Sequence, residues 1–74
     1  MKKAIYSPEH LYLVSQLKKA REAIGLDQTT AAKSLKRTQS YISKVESGQR
    51  RIDITQLTEF ARLYKKKLAY FIKG

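Results

Sequence analysis

Five side chains able to make directional hydrogen bonds gather in one short stretch: Gln39, Ser40, Ser43, Lys44 and Ser47. Thr38 before them is a good N-cap and Gly48 after them a good C′ residue, so a helix over 39–47 fits between the two. Wound at 3.6 residues per turn, the five polar residues fall on one side and Tyr41, Ile42 and Val45 on the other. An amide, several hydroxyls and an ammonium then face outward together. Groups of this kind can reach and pair with base edges in a major groove. A solvated surface helix carries the same pattern, so its meaning depends on the rest of the chain.

The elements that must hold this helix can be read from their caps and periodicity. Ser7-Pro8-Glu9 combines an N-cap, a proline suited to the first helical position and an acidic first turn, so helix 1 starts there. Leu13, Val14, Leu17, Ala20 and Ile24 then hold one face down to Gly25. Leu11 and Tyr12 lie off that face and call for cover from the first six residues or from a partner. Arg21 projects between Val14 and Leu17, inside the apolar stripe, where an unpaired guanidinium is costly. Either Glu46, at the border of the central helix's apolar face, pairs with it, or Arg21 snorkels past the core edge into water.

Asp27 caps a second helix, Gln28 to Leu35, with Ala31, Ala32 and Leu35 facing inward. Its two adjacent alanines allow another helix to approach closely. Lys36-Arg37 connects it to Thr38, and two short helices so joined have the layout of a helix-turn-helix. A basic loop, Gln49-Arg50-Arg51, follows Gly48. Asp53-Ile54-Thr55-Gln56 reads as a capping box opening a fourth helix through about Tyr64, with Ile54, Leu57, Phe60, Ala61 and Tyr64 inward. Lys65-Lys66-Lys67 breaks the pattern, and Leu68 to Ile72 makes one more short helix. In that segment Leu68, Phe71 and Ile72 share an i, i+3, i+4 face, leaving Tyr70 as the exposed residue. The expected fold is all-α: a compact five-helix bundle forming a single domain, 1–74.

Composition narrows the partner. Sixteen basic residues against six acidic ones give a formal charge of +10. On a chain this small such an excess points to a polyanion, with nucleic acid favoured over an anionic membrane surface. No apolar run approaches the roughly 18 residues of a membrane span, and the N-terminus has no signal-peptide stretch. A soluble, cytoplasmic chain is therefore expected. The chain has no cysteine and a single histidine, His10. No disulfide or structural zinc site is expected. His10, near a helix start, reads as solvated. No His/Cys/Asp grouping and no phosphate-cradling glycine loop is present, so neither enzymatic activity nor a cofactor is expected.

Gly25-Leu26-Asp27-Gln28-Thr29-Thr30-Ala31-Ala32, then Thr38-Gln39-Ser40-Tyr41-Ile42-Ser43-Lys44-Val45-Glu46-Ser47-Gly48 and Arg50-Arg51, resemble the helix-turn-helix family of phage repressors and their bacterial relatives. The likeness runs from about Leu13 to Ile72. It implies a five-helix domain that binds operator DNA, usually as a dimer, and regulates transcription. Gln28 matches the family's glutamine at the start of helix 2, which touches a phosphate and braces the recognition helix. Gln39, Ser40, Ser43 and Lys44 stand where base-reading side chains lie, and Arg21 and Glu46 match a partly buried ion pair. Arg50 and Arg51 fall in the loop that grips backbone phosphate; Ala32, Ile42 and Val45 match packing positions.

Two departures stand out. The family's turn usually has glycine and a small apolar residue where this chain has Lys36-Arg37. If the turn keeps its shape, Lys36 is left-handed, at roughly 1 kcal/mol relative to glycine. Lys36 and Arg37 are then either extra phosphate contacts or solvated turn residues. Lys65 and Lys67 replace a frequent glycine and a helix-capping serine. The expected function is sequence-specific binding of double-stranded DNA by a transcription regulator, most simply a repressor, acting as a homodimer on two half-sites. Leu68, Tyr70 and Phe71 are the expected dimer contacts. The rival reading is a protein-interaction module of the same fold, such as an antitoxin that binds a toxin.

Overall fold

Every α-helix among the described residues starts on the side chain that its sequence offers as a cap. The computed structural model describes residues 7–73. Ser7 accepts from His10 N–H at 3.1 Å and opens α1, Pro8–Ala23. Asp27 accepts from Thr30 N–H at 2.7 Å ahead of α2, Gln28–Ser34, and Thr38 accepts from Tyr41 N–H at 3.1 Å ahead of α3, Gln39–Glu46. Asp53 and Gln56 complete a reciprocal capping box before α4, Ile54–Tyr64. Each cap satisfies a donor that the first helical turn would leave unpaired.

The four α-helices among the described residues also end alike. After each, one residue turns left-handed, and the paired backbone bonds of a Schellman motif close the last turn. The left-handed residues are Gly25, Lys36, Gly48 and Lys65. Leu26, Arg37, Gln49 and Lys66 N–H reach back to Arg21, Ala32, Lys44 and Ala61 carbonyls at 2.9–3.2 Å. Glycine adopts this conformation freely, whereas the two lysines, at φ 57° and 61°, each carry a cost of about 1 kcal/mol. The turn thus keeps its shape despite Lys36.

The core draws on every helix, with α1 packed against α3, α4 and the Leu68–Phe71 segment. Leu17 and Ala20 of α1, Ala31 and Ala32 of α2, Ile42 and Val45 of α3, and Leu57, Phe60, Ala61 and Tyr64 of α4 enclose it with Phe71. α2 packs most extensively on α3, as its alanine pair allows. Phe60, Tyr64 and Phe71 are almost wholly buried, each contributing on the order of 2–3 kcal/mol of apolar burial. Among the described residues no helix is long and apolar enough to cross a membrane.

Several expectations need correction. The fifth element is not an α-helix but a 3-10 helix, Leu68–Phe71, preceded by Lys67, which makes no side-chain cap bond. In a 3-10 helix residues i and i+3 eclipse, so Leu68 and Phe71 share the inward face. Ile72, with extended backbone, leaves that face and is 55% exposed, while Tyr70 is half-buried, its ring edge-on to Phe71 at 5.1 Å. Phe71 itself is fully buried within the monomer and is not available as a dimer contact. Ile54 lies one turn ahead of the α4 stripe and is 61% exposed; Ile24, past the end of α1, is also exposed. The proposed cover of Leu11 and Tyr12 by the first six residues lies outside the described residues.

Tyr64 contributes one flaw to this core: among the described residues its buried hydroxyl has no hydrogen-bond partner. Burial accordingly pushes its pKa far above the usual phenol value. Tyr64→Phe removes the unpaired hydroxyl and keeps the ring, so it should stabilise the fold by about 1 kcal/mol. Chemical denaturation would show this as a higher midpoint at unchanged slope; a lower midpoint would mean that the hydroxyl is satisfied in solution.

Candidate nucleic-acid interface

A chain of polar contacts holds α3 at both ends. Arg21 of α1 donates to Glu46 twice, Nε to Oε2 at 2.7 Å and Nη2 to Oε1 at 3.0 Å, and its Nη1 donates to the Leu26 carbonyl at 2.8 Å. The two side chains are only 9% and 5% exposed. Hydrogen bonding to Glu46 raises the Arg21 pKa above its usual value, with burial opposing, so the guanidinium stays charged. Gln28 of α2 donates from Nε2 to Glu46 Oε1 at 3.0 Å, and Gln39 donates from Nε2 to Gln28 Oε1.

The direction of every bond in this relay follows from its first member. A carboxylate only accepts, so Gln28 must turn its NH2 group to Glu46 and its carbonyl oxygen to Gln39. Gln39 must then turn its own NH2 group to Gln28. What remains open on Gln39, an exposed residue at the first position of α3, is its carbonyl oxygen and one N–H. Gln28 is half-buried with both ends engaged, which makes it first a brace.

The polar face of α3 emerges largely as read. Gln39, Ser40 and Lys44 are exposed, while Ser43 is half-buried. Beside it lies a recess of about 380 Å³ lined by Lys36, Arg37, Thr38, Ser40, Tyr41, Lys44 and Arg50. Four of those seven are cations and none is acidic, so the recess attracts anions. Tyr41 stands in its wall. The Arg37 and Arg50 guanidinium carbons lie 5.1 and 5.0 Å from its ring centroid, and the ring stacks on Phe60 at 6.1 Å and 6°. Burial raises the Tyr41 phenol pKa, with the two arginines pulling it back. Arg37 also meets Glu59 at 3.8 Å, but both side chains are more than a third exposed and the pair is weak.

Arg51 does not join Arg50. It lines a separate recess with Glu9, His10, Phe71 and Ile72. His10 corrects another expectation: it is 8% exposed rather than solvated, with Nε2 3.3 Å from the Gly48 carbonyl. The left-handed turn at Gly48 brings that carbonyl to α1, which adds a third tether at the end of α3. Of the expected dimer residues, Leu68 and Tyr70 are half-buried and Phe71 is buried, whereas Leu11, Tyr12 and Ile72 are exposed.

Sequence reasoning missed Tyr41 and His10. Tyr41 counted only toward the apolar stripe; its signal was an arginine four positions before it and another nine after. His10 left no signal, because its acceptor is a backbone carbonyl 38 residues away. Removing Arg21 or Glu46 alone should cost on the order of 3 kcal/mol, since each strands a buried charge. Arg21→Met with Glu46→Leu should recover much of that loss in equilibrium unfolding. Additive single effects in this double-mutant cycle would mean that the two side chains do not stabilise one another.

Comparison with known proteins agrees with this geometry. The helix-turn-helix family matches residues 17–71. A comparison with curated proteins finds no match to the chain. Among solved structures, the restriction-modification controller protein C.AhdI from Aeromonas hydrophila superposes with a TM-score of 0.78 at 25% identity, covering 85% of this chain and 91% of its own. Hydroxypropylphosphonic acid epoxidase from S. wedmorenis superposes with a TM-score of 0.81 at 21% identity. That alignment covers 88% of this chain but 35% of the epoxidase, so the chain spans about a third of that enzyme's length. The same enzyme in complex with fosfomycin gives 0.82 at 20%, over 90% and 36% of the two chains. The likeness to the epoxidase is one of fold alone. With two short helices held across a tight turn and a matched span covering most of its length, the chain belongs to the helix-turn-helix family, of the Cro and phage-repressor type.

Proposed function

We propose that this protein is a sequence-specific double-stranded DNA-binding transcription regulator that reads the major groove with α3 and acts as a repressor in the cytoplasm. The observation that carries this reading is the Gln39 amide, held by Gln28 and Glu46 at the tip of α3 beside four cations. Family membership and the likeness to a controller protein support it.

Each part has a physical task. Eight residues make α3 about 12 Å long, a length that a major groove accepts. The open oxygen and N–H of Gln39 match the N6 donor and N7 acceptor of adenine; Lys44 suits guanine, and Ser40 and the half-buried Ser43 suit either. Lys36, Arg37, Arg50 and Arg51 supply charge for backbone phosphate, with Gln28 offering its remaining N–H. So short a helix covers few base pairs, which favours a symmetric homodimer on two half-sites. The exposed Ile72 with Tyr12 and Leu11 is the apolar surface best suited to that pairing.

Gln39→Ala should cost about 1–3 kcal/mol on the best site and relax preference at one base position, whereas Arg50→Ala should weaken all sequences alike. A panel of duplexes measured for both variants tests the assignment; identical patterns would refute it. Capture of an acidic protein, with no duplex binding at low salt, would instead favour the interaction-module reading. Ile72→Glu should leave the monomer folded and abolish cooperative binding to a duplex with two half-sites. Unchanged cooperativity would put the dimer contact elsewhere.

A further inference from the structure

The recess beside α3 brings together two arginines from different places in the chain. Arg37 comes from the turn before α3 and Arg50 from the loop after it, yet both guanidinium groups lie about 5 Å from one ring, that of Tyr41. Tyr41 is itself held by stacking on Phe60, which is almost wholly buried. A cation near an aromatic face is attracted by the ring quadrupole, so the ring acts as a platform that both arginines share. Two like charges sharing one ring repel one another, and Lys36 and Lys44 in the same wall add to the repulsion. No carboxylate lines the recess; the nearest acidic partner, Glu59, takes Arg37 only at 3.8 Å and at a partly exposed position. The arrangement is one that a single tetrahedral anion in the shared recess would relieve, since each guanidinium fork can donate two parallel bonds to phosphate oxygens.

We propose that Arg37, Arg50 and the Tyr41 ring form one phosphate seat, in which Tyr41 is a positioning residue and the ligand is a single phosphodiester of the DNA backbone. This rests on the reading of α3 as a duplex-reading helix. It differs from a general basic surface in one respect: Arg37 and Arg50 act as a unit, and Arg51, in its separate recess, acts alone. Ser40 and Thr38 line the same recess and offer hydroxyls to the remaining phosphate oxygens.

The test compares salt slopes of binding to random duplex DNA for the full chain and its variants. Each phosphate contact contributes about 0.9 to the slope of log K against log salt. Arg37→Gln and Arg50→Gln should each reduce the slope by about one contact, and the double variant by little more than one. Arg51→Gln should add independently to either. Tyr41→Leu should lose roughly tenfold in affinity at 50 mM salt together with the same slope unit, while Tyr41→Phe, which keeps the ring, should bind like the parent. Unfolding of each variant is followed by circular dichroism; if Tyr41→Leu does not fold, the arginine pair and Tyr41→Phe still decide. Slopes for Arg37→Gln and Arg50→Gln that add as two separate contacts would overturn the proposal while leaving the DNA reading intact. If the parent does not bind duplex at all, that reading fails. The seat is then judged by titrating inorganic phosphate against the arginine Nε–H resonances. Joint shifts of Arg37 and Arg50, lost in Tyr41→Leu, would support it as a site for free phosphate chemistry, and no joint shift would overturn it.

Discussion

Everything that α3 can do depends on one carboxylate. Glu46 is the last residue of the helix, yet it sets the orientation of the first, because Arg21 and Gln28 converge on it and Gln28 passes the constraint to Gln39. The relay is directional: acceptor-only at Glu46, it leaves each amide one way to point. Burying such a pair yields little net stability once desolvation is counted. Its effect here is geometric, since it fixes the rotation of α3 about its own axis relative to α1 and α2. Ile42 and Val45 pack the helix by non-directional apolar contact, which sets its rotation less sharply than a hydrogen-bonded ion pair does. With its carboxylate gripped by two guanidinium nitrogens, it cannot roll without stranding a charge.

The same helix is tethered a second way where it ends. Gly48 turns left-handed and offers its carbonyl to His10 of α1, so the chain leaves α3 in a set direction and delivers Arg50 beside Tyr41. Arg37 arrives from the other side because Lys36 turns left-handed in the preceding loop. A glycine at 36 would make that turn at lower cost, but it would remove one cation from the recess. Strain of about 1 kcal/mol is thus retained beside the surface where charge is useful. Lys65 carries the same strain after α4, where its conformation closes the last turn of the helix.

Charge and apolar surface oppose one another across this molecule. At +10 overall, two copies repel until a polyanion neutralises them. Among the exposed apolar side chains, Leu11 and Tyr12 sit on α1 and Ile72 next to the 3-10 helix, and none of the three lines the cationic recess. In the proposed homodimer, pairing through those side chains is strongest where DNA cancels the repulsion.

The local elements were legible from the chain alone. Ser7, Asp27, Thr38 and Asp53 announce four helix starts, and the structure places all four caps there, because a cap bond spans only three residues and needs nothing from the rest of the fold. The polar face of α3 and the cost of leaving Arg21 unpaired were equally local or nearly so: the first follows from helical period, the second from desolvation. What tertiary structure alone decided was which distant groups meet. The Leu68–Phe71 segment pattern could not distinguish a 3-10 turn from an α-turn, and that choice exchanged Tyr70 for Ile72 as the exposed residue, because an eclipsed i, i+3 repeat leaves the i+4 position outside. His10 became buried through a carbonyl that only the turn at Gly48 brings near it. Arg50 and Arg51, neighbours in sequence, parted into different recesses, and Tyr41 gained two arginines, since a loop's path is set by the elements it joins and not by its composition.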